Sequence, residues 1–171
     1  MKVTFIEAVR LGFVNFRNFK GTATRRHYWY FVLFTVLLGI VLSTIEGIIW
    51  PAEDATNILD AANQNTPLSN IAGLILLLPS LALSSRRLRD AGWSGKWLLL
   101  FLVPLIALVF SAIGLIGYLQ QSATPEVEAL AAAAAYFVPT LFLAIVVQVF
   151  LLVLCLLPTK TKEQGNRYAE N

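Results

Sequence analysis

The densest run of potentially reactive side chains is Arg86–Trp97, RRLRDAGWSGKW, which places three arginines, a lysine, an aspartate and two tryptophans within twelve residues. A guanidinium is a planar fork suited to phosphate and carboxylate. Asp90 follows Arg86 by four residues and Arg87 by three, so on a helix it stands beside an arginine and can fix the shape of the cluster. Gly92 can end that helix and Gly95 can turn the chain. Such an arginine-lined cap, with Trp93 and Lys96 at its edge, suits a phosphate, whether on a lipid headgroup or a soluble metabolite. A plainer reading is topological. The cations Arg86, Arg87, Arg89 and Lys96 then anchor helix ends at the headgroups, at about 1 kcal/mol each, with Trp93 and Trp97 as an aromatic belt. Arg25 and Arg26 head a similar cluster, FKGTATRRHYWYF, in which Thr22 or Thr24 can cap a helix. The shared layout of arginine pair, tryptophan and apolar run hints at a two-fold repeat of helical hairpins.

Other candidates are sparse. Glu46 is the one carboxylate within an apolar run, and buried acids in membrane helices are candidates for moving protons or cations. Gly39, Ser43 and Gly47 form a small-residue stripe on its face, which predicts that Glu46 looks into a helix bundle. Asn70, Tyr118 and Tyr136 are its expected neutral neighbours. Gln148 reads as a hydrogen bond between helices. His27 is the single histidine and Cys155 the single cysteine, too few for a zinc centre or a disulfide framework. Asp90 lacks the companion acids of two-metal chemistry. No enzyme activity, metal or cofactor is expected.

The elements that carry these residues follow from composition. The chain has 171 residues, of which 57% are hydrophobic and 13% charged, and a mean hydropathy of +0.70. Soluble domains average about 25% charged residues, and a fold of this size in water needs more polar surface. Four apolar segments approach the roughly 20 residues that cross a bilayer as a helix. They run over about 28–50, 68–85, 97–119 and 130–157. Pro79, Pro104 and Pro139 fall inside spans and predict kinks.

Charge placement tests this partition. Lys2, Arg10, Arg17, Lys20, Arg25 and Arg26 precede the first span. Arg86, Arg87, Arg89 and Lys96 separate the second from the third, and Lys160, Lys162 and Arg167 follow the fourth. All 13 basic residues thus lie on one side, whereas the other two loops carry Glu53, Asp54, Asp60, Glu126 and Glu128. The positive-inside rule puts both termini in the cytoplasm. No small-residue cleavage site follows the first span, so it reads as a retained anchor. Within residues 1–27, Phe5, Val9, Phe13 and Phe16 recur at helical spacing. They predict an amphipathic helix on the leaflet or packed under the bundle. Residues 158–171 form a tail.

The chain resembles a bacterial inner-membrane family known as domain of unknown function 805. That family has an N-F-x-x-F-x-G-R-x-x-R-R-x-F-W block, an R-R-L-H-D-x-G-x-S-G-W-W block and a G-x-N-x-Y-G signature. They correspond here to NFRNFKGTATRRHYW over Asn15–Trp29, RRLRDAGWSGKW over Arg86–Trp97, and Gly165, Asn166 and Tyr168 in EQGNRYAEN. Thr22, Arg89, Lys96 and Ala169 stand where the family has Arg, His, Trp and Gly. The resemblance implies a four-span inner-membrane protein and no established activity.

The expectation is therefore an all-α membrane protein, a four-transmembrane-helix bundle with an N-terminal amphipathic interfacial helix and both termini cytoplasmic. Its arginine clusters bind anionic phospholipid headgroups or a membrane partner protein, or a second copy of the chain; no nucleic-acid partner is expected. The alternative is a subunit of a small transporter or channel that uses Glu46.

Overall fold

A computed structural model describes residues 3–50, 66–121 and 126–169. The acidic loop with Glu53, Asp54 and Asp60 lies outside them. Five α-helices are described: α1 Phe5–Val14, α2 Arg25–Ile49, α3 Pro67–Asp90, α4 Leu102–Gln121 and α5 Glu126–Leu156. A 3₁₀ turn over Gly95–Phe101 leads into α4. Four stretches are long and apolar enough to cross a membrane: Arg25–Ile49, Pro67–Asp90, Gly95–Gln120 and Glu128–Leu156.

Local chemistry sets the helix starts. Thr4 and Glu7 form a reciprocal capping box on α1: the Glu7 amide donates to the Thr4 hydroxyl, and the Thr4 amide to the Glu7 carboxylate at 2.9 Å. The Thr4 amide, together with the Thr4 hydroxyl, holds the Glu7 carboxyl below its usual range. Thr24 caps α2 by accepting from the His27 amide. Pro67 opens α3, where its missing N–H costs nothing. The second span runs to Asp90 rather than to 85, because Arg86, Arg87 and Asp90 turn into the protein and are buried. Pro79 does not break α3. At 31 residues, α5 is ~46 Å long against a ~30 Å bilayer core, so it tilts or protrudes.

The helices form two pairs, α2 with α3 and α4 with α5. Between α4 and α5, the Ser111 and Thr140 hydroxyls bond at 2.7 Å. Gly114 lets the two backbones approach, since a Cβ there would come within 2.7 Å of the Tyr136 ring. The pairs meet at the end that carries the arginines, through Leu88, Val147, Leu151, Leu154 and Cys155. The other apolar surface of the spans is largely exposed, as lipid-facing helices require.

The small-residue stripe departs from expectation. Gly39, Ser43 and Gly47 are exposed, and a Cβ at either glycine would meet nothing within 4 Å. Glu46 on the same face is nevertheless buried, because its longer side chain reaches sideways to the first turn of α3. The stripe is open to the bilayer side, and among the described residues no helix seats on it.

Beneath the bundle, α1 packs on α2. Phe5 stacks edge-on to Tyr30 at 6.0 Å, and Phe13 meets Phe31 and Phe34 at 5.9 and 6.0 Å. Gly12 makes this contact possible, since a Cβ there would overlap the buried Phe31 ring. Phe5 and Phe13 of the apolar stripe thus seat on the bundle, while Ile6 and Val14, outside that stripe, point away, 79% and 67% exposed. Replacing Gly12 by Leu should lift α1 while the spans stay intact. Hydrogen exchange should quicken across residues 5–14 and stay unchanged in α5; protection equal to wild type would refute this packing.

Candidate functional site at the arginine end

Arg87 is completely buried. Its Nε donates to the Cys155 carbonyl at 2.9 Å, one Nη to the Leu157 carbonyl, and the other to Asp90 Oδ2. Every helix ends with four carbonyls that lack an intrahelical donor. In α5 the last turn has no basic residue of its own. Arg87 supplies donors from α3 instead, and the Arg25 Nε adds one from α2 to the Leu157 carbonyl at 3.0 Å. Asp90 neutralises the buried guanidinium and accepts from the Thr159 hydroxyl at 2.6 Å.

The end of α3 is closed in turn by the C-terminal tail. Gly92 has φ +87°, the Gly92 amide donates to the Arg89 carbonyl and the Trp93 amide to the Leu88 carbonyl. That pair of bonds is a Schellman motif, and Trp93 packs on the cluster holding Leu88. The buried Asn166 amide donates to the Arg89 and Lys160 carbonyls at 3.0 Å and to that of Asp90 at 3.3 Å. Its carbonyl accepts from the Tyr168 amide at 2.9 Å. Gly165, at φ +84°, turns the tail so that Asn166 enters.

The remaining candidates divide. Arg86 is 6% exposed, yet its Nε reaches only the Ala82 carbonyl, at 3.4 Å, and one Nη is buried without a partner among the described residues. His27 lies close enough to interact with it electrostatically, and its own Nε2 is buried and unpartnered. Arg25, Arg26 and Lys96 are exposed. The Arg89 guanidinium lies 5.5 Å from the Tyr168 ring centre, while its Nε is buried without a hydrogen-bond partner. Trp93 and Trp97 meet edge to face at 5.6 Å. Among the described residues, no three histidine, cysteine, aspartate or glutamate side chains gather to hold a metal.

Glu46 lies elsewhere, near the opposite end of α2. The Ser69 amide donates to its Oε1 at 2.9 Å, and the Ser69 hydroxyl to its Oε2. It accepts from Ser69 rather than from Asn70, Tyr118 or Tyr136. Thr66 makes no side-chain cap, so Glu46 caps α3 from the neighbouring helix. Sequence reasoning missed Ser69, Thr159 and the capping role of Asn166. Only the family signature pointed to Asn166.

An all-helical chain with four bilayer-length apolar helices, locked at one end by an arginine-centred set of helix caps, defines a polytopic membrane protein. Residues 16–170 match the family described as protein of unknown function (DUF805), and the chain belongs to that family. It is 33% identical over 93 residues to the inner membrane protein YhaH of Escherichia coli K12, covering 54% of this chain and 69% of YhaH. It is 36% identical over 92 residues to the inner membrane protein YhaI of the same strain, covering 54% of this chain and 68% of YhaI. No solved structure matches.

The two adjacent arginines should behave oppositely. Arg87→Met leaves Asp90 without its counter-ion and the Cys155 carbonyl without its side-chain donor, so unfolding in detergent should become easier by about 3–5 kcal/mol. Arg86→Met removes a buried charge with no counter-ion and should leave stability equal or higher. Denaturant titration followed by circular dichroism checks both; a large loss with Arg86→Met would show that Arg86 is paired after all.

Proposed function

We propose that this chain is a non-catalytic component of the bacterial inner membrane, with both termini in the cytoplasm and anionic phospholipid held along its arginine end. The observation that carries this reading is the division of labour among the cations. Arg87 is consumed by internal caps, whereas Arg10, Arg17, Lys20, Arg26, Lys96, Lys160 and Arg167 remain exposed around the same end of the bundle. Such a collar adds about 1 kcal/mol per cation close to an anionic leaflet. The membership of inner-membrane relatives agrees with the setting. A transport path through Glu46 has less support, since both its carboxylate oxygens already serve Ser69.

Two measurements test the proposal. In nanodiscs of mixed phosphatidylglycerol and phosphatidylcholine, wild type should enrich phosphatidylglycerol in its annulus. The Arg26→Gln, Lys160→Gln, Arg167→Gln variant should lose several-fold of that enrichment; an unchanged annulus would sink the reading. A fluorescent protein that matures only in the cytoplasm should glow when fused to the C-terminus. A dark fusion, with periplasmic phosphatase active at the same position, would reverse the orientation.

A further inference from the structure

Beside the capped helix ends lies a groove of about 430 Å³ between α3, the 3₁₀ turn and the segment before α2. Its polar end is formed by Arg89, Lys96 and Ser85, and its walls by Phe19, Leu81, Leu98, Leu99, Phe101 and Leu102. Gly95 lets the turn lie against α3 there, because a Cβ would overlap the Ser85 hydroxyl. That hydroxyl is itself engaged, donating to the Phe19 carbonyl at 3.2 Å.

Among the described residues, no carboxylate neutralises the charge at the polar end. Arg89 forms no ion pair among the described residues, and its Nε is buried with no hydrogen-bond partner. That Nε is closed off, so a groove occupant would pair with the rest of the guanidinium. Lys96 adds a second cation at the mouth. Away from them the walls turn apolar and open onto the bilayer-facing surface, where Leu99 is 62% and Leu102 48% exposed. A soluble phosphate would satisfy the cations and gain nothing from the leucines. A purely apolar chain would leave Arg89 unmatched. An amphiphile with an anionic head and an acyl tail satisfies both ends at once, and the groove volume lies in the range of ligand pockets.

We propose that this groove is a stoichiometric site for one anionic phospholipid, its phosphate on Arg89 and Lys96 and an acyl chain along Leu81, Leu98 and Leu102. The site rests on the reading of the arginine end as lipid-binding and sharpens it from a diffuse annulus to a single bound molecule.

Native mass spectrometry of the full chain in mild detergent, with phosphatidylglycerol or phosphatidylcholine added, tests the site. Wild type should retain one phosphatidylglycerol and not phosphatidylcholine. Lys96→Gln, at an exposed position that does not threaten folding, and Arg89→Gln should each weaken retention by about tenfold or more, the worth of a charge-assisted bond. Leu102→Asn, which keeps both cations, should weaken it as well. Retention that survives Arg89→Gln and Lys96→Gln together overturns the site. So does displacement of the lipid by millimolar inorganic phosphate, which would mark the groove as a simple anion pocket. If no single lipid is retained while annular enrichment in nanodiscs persists, the groove proposal fails and the broader reading stands. The collar variant Arg26→Gln, Lys160→Gln, Arg167→Gln should do the reverse, losing enrichment and keeping the one bound lipid.

Discussion

The fold at its polar end depends on satisfying the carbonyls where α5 stops. A helix that leaves the bilayer still has four acceptors to hydrate or cap, and α5 carries no basic residue in its last turn to do so. Arg87 resolves this from another helix, and its burial is tolerable only because Asp90 and two carbonyls use its donors. Once Arg87 is committed, α3 must reach that depth as a continuous helix, and its own end must be closed by Asn166. Each cap is made by a different part of the chain, so the two helix pairs are joined by hydrogen bonds beside the apolar cluster of Leu88, Val147, Leu151, Leu154 and Cys155.

This explains how neighbouring arginines come to differ. Helical geometry separates Arg86 and Arg87 by about 100°. Arg87 faces the end of α5, while Arg86 faces α2 and His27, where no carboxylate answers it. Arg89 faces a third way, towards the groove and Tyr168. One short run of charge therefore serves three separate environments, and among the described residues only the first is internally neutralised.

The four spans were readable from hydropathy because bilayer crossing is a property of a segment by itself. That Asp90 pairs with an arginine was readable too, from its three- and four-residue spacings, but the choice of Arg87 over Arg86 was not. The caps on Cys155 and Leu157 were not, because a carbonyl is identical on every residue and leaves no mark in the sequence some seventy positions away. Glu46 was recognised as a residue needing neutral partners, yet Ser69 was passed over, since relative depth of two helices depends on a loop whose path sequence does not give. The glycine stripe was visible as a pattern, but whether a helix seats on it is decided by the other helices. In the candidate site, the types of residue were legible and their division into structural and outward-facing groups was not.

Asn166 lies beyond the last span, yet it closes a helix that ends at Asp90, 76 residues earlier. During synthesis all four spans emerge before it does. Until then the carbonyls of Arg89 and Asp90 lack their side-chain donor, and the joint between the helix pairs is incomplete. Closure thus waits for a segment that follows the last span, so a chain cut short before Asn166 would enter the bilayer with its greasy helices formed but its polar end unlatched.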